Sequence, residues 1–233
     1  MAFAALDPIV SNHQHKRRGA PRSHHHHHKE SSHASTLRPS TGTVTPVTTT
    51  ADWLTDDIAV PVMPPGGICL PRSPENLRHV VSLAQLETAR RYQPRDITGD
   101  GRAETFCNIF VSDVTRWLDC EIPHDIGGTH TNPDGTVVTI HQWQDVRANA
   151  EWLRSGYGSW RRAKALDAQA HANKGGPAVV VWDSSVRAHG HIALLVPSER
   201  GVRIAQAGRS CLSDAPLVRG FGSLAPLEFF VHD

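Results

Sequence analysis

The 233-residue sequence has almost no excess of charge of either sign and no long apolar run. Its 24 Lys and Arg residues offset 23 Asp and Glu residues, which leaves a formal net charge of +1. A chain this close to neutrality has no general attraction to nucleic acid, so we expect no nucleic-acid partner. No segment approaches the roughly 20 apolar residues that a membrane-spanning helix needs, so we expect no membrane span.

Cysteine is also scarce. The four cysteines are Cys69, Cys107, Cys120 and Cys211. Their spacing matches neither a zinc ribbon nor the dense disulfide framework of a small secreted domain. A disulfide between two of Cys69, Cys120 and Cys211 stays open at this stage.

The start of the chain lacks the features of an ordinary secretory signal peptide. Residues 1–10 contain no Lys or Arg, and their apolar run is short. If the protein acts outside the cytoplasm, we expect export by a dedicated system or release by cell lysis.

Composition divides the chain into three parts. Residues 1–50 are rich in Ser, Thr, Pro and His and lack apolar periodicity, which predicts a disordered tail. Five consecutive histidines at 24–28 are compatible with metal binding, although a purification-type tag or a low-complexity tail explains them more simply. Residues 51–72 are broken by Pro and Gly and are predicted to be a linker or a leading arm that lies on the domain surface. Residues 73–233 are predicted to form the folded domain.

Apolar periodicity predicts helices first and a sheet afterwards. A helix should begin with Ser73 as N-cap and Pro74 in its first turn, and end near residues 92–94. Further helices are predicted at 105–118, 145–154 and 163–174. Apolar runs predict strands at 177–182, 190–196, 202–208 and 227–231, and the short turns between the first three favour an antiparallel meander. This order indicates an α+β fold with helices packed on the sheet.

Cys107 is a candidate nucleophile because of its place in the second predicted helix. Thr105 is the predicted N-cap, which puts Cys107 in the first turn. The positive end of the helix dipole there favours the thiolate, which is the attacking form of cysteine. The alternative is that Cys107 is a small, inert, buried residue.

The segment before Cys107 has the spacing of a calcium loop. Oxygen-bearing residues recur as in an EF-hand, with a glycine at the sixth position, but Cys107 occupies the place of the final bidentate carboxylate. The alternative is a tight Asp/Gly turn that leads into the helix. The predicted ligands of a weak Ca²⁺ site are Asp96, Thr98, Asp100, the Arg102 carbonyl and Glu104.

Two polar residues on neighbouring predicted strands are candidates to complete a site with Cys107. His191 opens an apolar strand, and Gln206 lies within the next strand. An antiparallel pair would bring them together, and a helix packed on that sheet would present Cys107 to them. Cysteine hydrolases need such an imidazole and a polar group that orients it. His189 is a competing base on the same strand face.

Together these features resemble the papain-like cell-wall hydrolases, the NlpC/P60 and CHAP amidases and endopeptidases. The resemblance covers residues 74–233 and implies a papain-like α+β core with N-terminal helices packed on a C-terminal antiparallel sheet. It implies that Cys107 is the nucleophile, His191 the base and Gln206 the third polar residue. The implied substrate is an amide bond in peptidoglycan or a peptide, with no required cofactor. Residues 119–160, where substrate loops would lie, match no close subfamily.

Other residues and functions remain as alternatives. Asn108 and Trp143 are candidate substrate-binding residues, although tryptophans more often pack in a core. A zinc hydrolase would use His189 and His191 with one further histidine, but no HExxH motif is present. The candidates for that third ligand are His124, His130 and His141. A third alternative is a noncatalytic binding module on the same scaffold.

Overall fold

The computed structural model describes residues 50–68, 70–124, 129–131, 133–139, 145–184 and 190–233, within a unit that spans Val47–Asp233. The predictions for residues 1–49, Cys69, His141, Trp143 and His189 lie outside the described residues, as does the side chain of His130. None of the helices in the described part is long and apolar enough to cross a membrane.

The described residues form a mixed α+β structure, as predicted. The helices are α1 (Pro74–Leu83), α2 (Cys107–Trp117), α3 (Val146–Arg154), α4 (Ala165–Asn173) and α5 (Leu217–Phe221), and a 3₁₀ turn covers Tyr157–Ser159. The strands are β1 (Thr129–Thr131), β2 (Val137–Thr139), β3 (Trp160–Ala163), β4 (Ala178–Asp183), β5 (Gly190–Leu195), β6 (Arg203–Ala207), β7 (Cys211–Pro216) and β8 (Glu228–His232).

The main sheet is antiparallel throughout, in the order β3-β8-β4-β5-β6-β7. The predicted meander is confirmed for β4, β5 and β6, and it continues into β7, which was not predicted. Strand β3 and helix α5 were also not predicted. Strands β1 and β2 form a separate antiparallel pair. Helix α2 packs against β5 and β6, which sets its first turn beside the start of β5.

Helix α1 begins as predicted but ends earlier. The Ser73 side chain accepts a hydrogen bond from the backbone N–H of Asn76, and Pro74 opens the helix. The helix stops at Leu83, two residues before Gln85, which has a φ of +48°. Buried apolar residues continue through turns as far as Tyr92. The prediction that the helix continues to residues 92–94 was wrong, because the apolar residues after Leu83 are buried in turns and do not form a helix face.

Helix α2 is the central element of the core. It is buried on almost every side, a pattern typical of a helix surrounded by other elements. Its N-cap is Phe106 and not the predicted Thr105, which is exposed. The Phe106 ring is buried, and the guanidinium of Arg95 lies 4.5 Å from its centroid. The first helical residue is therefore Cys107 itself.

Residues 51–62, which we call the N-terminal arm, belong to the segment that was predicted to be a linker or a leading arm. The arm buries Leu54, Ile58 and Val62 in the core. Arg91 donates hydrogen bonds to three of its backbone carbonyls, those of residues 55, 57 and 60. The same guanidinium pairs with Asp113 of α2 at 2.7 Å, and neither side chain is exposed. The arm is therefore part of the support of α2.

Candidate active site

The sulfur of Cys107 lies where α2 meets β5. The thiol is hydrogen-bonded with the His191 imidazole, and the backbone N–H groups of Ile192 and Asn108 also point at the sulfur. Cys107 is 3% exposed and is a free thiol. Three donors around one sulfur favour the thiolate over the neutral thiol.

His191 is held on its other side by Gln206. The distance between His191 Nε2 and Gln206 Oε1 is 2.9 Å. The Gln206 Nε2 donates to the carbonyl of Ser210 at 3.0 Å, which fixes the orientation of the amide. Because Oε1 can only accept, Nε2 of His191 carries a proton and the contact with Cys107 uses Nδ1. The predicted proximity of His191 and Gln206 is confirmed.

The electrostatics of the pair favour an ion pair between Cys107 and His191. Burial, the largest single influence, raises the pKa of the Cys107 thiol, but His191 and the two N–H groups outweigh it and leave the pKa below its usual value. Burial likewise lowers the pKa of His191, but the Cys107 sulfur and Gln206 outweigh it and raise the pKa above its usual value. Opposite shifts of this kind are typical of a nucleophile and its base.

The other described cysteines lack this environment. Cys120 and Cys211 are buried free thiols, so they do not form the disulfide that was left open. Burial raises the pKa of Cys120 to about 12 and that of Cys211 to about 11. Both should be unreactive near neutral pH, so the electrostatic distinction singles out Cys107.

Sequence reasoning missed the residues that surround the imidazole. The ring of Phe221, in α5, lies 4.7 Å from the His191 ring between centroids. Glycines at 208 and 220 approach the His191–Gln206 pair closely, and an added Cβ would meet one or both side chains within 3.4 Å. Spacing along the chain could not reveal Gly220 and Phe221, because they belong to α5, which was not predicted.

The candidate substrate residues have different outcomes. Asn108 follows Cys107 in the first turn of α2 and is 8% exposed, and the role of its side chain stays a prediction. Trp143 lies outside the described residues. Trp182 lies directly opposite His191 in the β4–β5 register and is only partly buried, so the two side chains lie on the same face of the sheet.

The predicted calcium loop brings three carboxylates together. Ligand oxygens of Asp96, Asp100 and Glu104 all lie within 4.8 Å of one another. Hydrogen bonds within the loop also engage them: Thr98 Oγ1 donates to Glu104 at 2.9 Å, and the Arg102 N–H donates to Asp100 at 2.8 Å. The geometry is thus compatible with both a calcium site and the tight turn, and calcium binding stays a prediction.

The zinc alternative gains no support from the part of the chain that is described. Within it, the carboxylates of the 96–104 loop are the only cluster of at least three His, Cys, Asp or Glu side chains close enough to share a metal. His191 is engaged by Cys107 and Gln206, and the Nε2 of buried His124 lies 2.8 Å from the carbonyl of Ile58.

No protein-family model matches the chain, and neither does any curated protein. A functional proposal therefore depends on the arrangement of Cys107, His191 and Gln206. This arrangement has the parts of a thiol–imidazole nucleophile, in which the third residue orients the base.

Proposed function

We propose that this protein is a cysteine-dependent hydrolase of amide bonds. Cys107 is the nucleophile, His191 the general base and acid, and Gln206 the residue that orients the imidazole. The observation that carries the proposal is the hydrogen-bonded chain from the Cys107 thiol through His191 to Gln206. Its continuation to the Ser210 carbonyl fixes the orientation of the Gln206 amide and thereby makes His191 Nε2 the donor to Gln206.

In this proposal the Cys107 thiolate attacks the carbonyl carbon of the amide. The resulting tetrahedral oxyanion collapses to a thioester as the C–N bond breaks, and the His191 imidazolium gives its proton to the leaving amine. Neutral His191 then takes a proton from water, which attacks the thioester and releases the acid. The thiol proton returns to the Cys107–His191 pair, so no redox partner or metal is needed.

The first turn of α2 supports stabilisation of the oxyanion. No side chain caps this helix at Phe106, so no capping oxygen competes for the backbone N–H of Cys107. We assign the backbone N–H of Cys107 as one donor to the oxyanion. Donors of this type stabilise charge that develops only in the transition state.

Peptidoglycan is the proposed substrate class, with peptides as the wider class. The support is the likeness in residue order to papain-like cell-wall amidases and endopeptidases, together with a helix-borne cysteine packed on an antiparallel sheet. Trp182, the cross-strand partner of His191, is an aromatic residue of the kind that packs against sugars or peptide groups. The papain-like core itself is part of this proposal.

The test is hydrolysis of purified peptidoglycan, followed by loss of turbidity and release of muropeptides. Cys107→Ala should abolish release, whereas the matched variant Cys120→Ala, which removes an unreactive buried thiol, should retain it wherever it folds. Activity in folded Cys107→Ala would refute the nucleophile. If the wild-type protein is active but loses its activity in EDTA, the reaction also requires a metal ion. Wild-type inactivity on both peptidoglycan and peptides would favour a noncatalytic binding module.

A further inference from the structure

Helix α5 lies against the His191–Gln206 pair. The Phe221 ring is 1% exposed, and its plane is inclined at 49° to the His191 imidazole at a centroid distance of 4.7 Å. The contact limits the orientations that the imidazole can adopt, because the buried Phe221 ring occupies the space on that side of it.

Gly220, the residue before Phe221, lies against the amide of Gln206. A Cβ at this position would lie 2.2 Å from Gln206 Oε1 and 2.6 Å from Ile204 Cδ1. The backbone of Gly220 is not left-handed, so glycine is needed there for space and not for its conformation. Oε1 is the atom that faces His191 Nε2, so a methyl group at position 220 must displace the acceptor of that hydrogen bond.

We propose that Gly220 and Phe221 are positioning residues that fix the His191 imidazole toward Cys107. Gly220 leaves the space in which the Gln206 amide meets Nε2, and Phe221 supports the ring itself. The inference rests on the proposed function, because it assigns these residues to the orientation of its base. Neither residue is assigned a contact with substrate.

The test measures the pH dependence of Cys107 alkylation by iodoacetamide, with peptide mapping to identify the modified cysteine. This readout needs no substrate. In Gly220→Ala the displaced amide should stabilise the imidazolium less, so alkylation at mildly acidic pH should fall about tenfold. Phe221→Leu should shift the profile in the same direction, whereas Val218→Ala, at a 65% exposed position of the same helix, should not.

Two double variants separate positioning from simple crowding. In a Gln206→Ala background, Gly220→Ala should cause no further loss, because the amide it displaces is already absent. In an Ile204→Val background, Gly220→Ala should still reduce alkylation of Cys107. Removal of Ile204 Cδ1 relieves its clash with the new Cβ but leaves the clash with Gln206 Oε1. Additive loss in the first background, or recovery in the second, would overturn the inference.

The outcomes also separate this inference from the proposed function. A wild-type Cys107 with an ordinary thiol profile would refute the ion pair and with it the proposed hydrolase. A wild-type Cys107 reactive at mildly acidic pH, with unchanged profiles in folded Gly220→Ala and Phe221→Leu, would overturn the positioning role alone.

Discussion

Gln206→Ala should reduce the reactivity of Cys107 without removing any group that touches the sulfur. Gln206 is 3% exposed, and its Oε1 accepts from His191 Nε2 at 2.9 Å. A hydrogen bond to a charged group contributes about 1.5–3 kcal/mol. Since 1.36 kcal/mol corresponds to a factor of ten in rate, we expect attack by Cys107 to slow roughly 10- to 150-fold.

The effect should have a defined pH signature. Loss of Gln206 removes one of the interactions that raise the His191 pKa, so the pH range in which thiolate and imidazolium coexist should narrow. Gln206→Glu should widen it, because a carboxylate stabilises the imidazolium more strongly than a neutral amide. The assay is the alkylation rate of Cys107 across pH, together with kcat/KM on a peptide amide once a substrate is found.

The chain offers a matched control for this variant. Gln169 is 5% exposed, donates to the Val196 carbonyl at 2.9 Å and accepts from the Arg203 N–H at 3.2 Å. Gln169→Ala therefore removes a buried side chain of the same type at a position away from Cys107, together with these two hydrogen bonds and a third to Asn173 Oδ1. It should lower stability but leave the pH profile unchanged. Equal effects of the two variants on Cys107 reactivity would refute the orienting role of Gln206.

The remaining predictions concern pH, the buried ion pair and the 96–104 loop. Activity should rise as pH passes the lowered pKa of Cys107 and fall as it passes the raised pKa of His191, which a pH–rate profile would show. Asp113→Ala should reduce the free energy of unfolding by about 3–5 kcal/mol, because it strands the buried Arg91 charge; urea titration measures this. Calcium should raise the melting temperature, and Asp100→Asn should abolish the increase.

Each of these predictions has a result that would contradict it, and the stability prediction also has a control variant. A rate that rises only with an ordinary thiol pKa would contradict the ion pair. The exposed pair of Arg90 with Asp56 is the control for Asp113, since Arg90→Ala should change stability by less than about 1 kcal/mol. If Asp113→Ala and Arg90→Ala reduced the free energy of unfolding equally, burial of the Arg91–Asp113 pair would not explain the effect. A melting temperature that does not respond to calcium would leave the loop as a turn.

Long apolar runs were the most predictive part of the sequence. The predicted bounds of strands β4, β5 and β6 and of helix α2 agree with the structure within one or two residues. A long apolar run must be buried, which restricts the secondary structure that it can adopt. Strand β7 and helix α5 were missed. Strand β7 carries Ser and Asp at exposed or half-buried positions, and α5 has only five residues, so neither shows a periodic pattern.

The same contrast holds within the site. The proximity of His191 and Gln206 followed from antiparallel pairing of neighbouring strands, which is a local rule. The contacts of Gly220 and Phe221 depend on where α5 folds back, and no local rule gives that position. Likewise, residue type favoured Thr105 as the N-cap, whereas the N-cap is Phe106, whose ring is buried in the tertiary structure.

The N-terminal arm sets the smallest fragment that can fold autonomously. Three side chains from the rest of the domain donate hydrogen bonds to backbone carbonyls of the arm. They are the Arg91 guanidinium, the Trp117 indole at 2.8 Å from the Val62 carbonyl, and the ring of His124. A fragment that begins at residue 73 would lose these hydrogen bonds, each of which contributes about 0.5–1.5 kcal/mol to stability. It would also remove Leu54 from the core. The cooperative unit that presents Cys107 therefore begins ahead of Leu54, some twenty residues before the first helix.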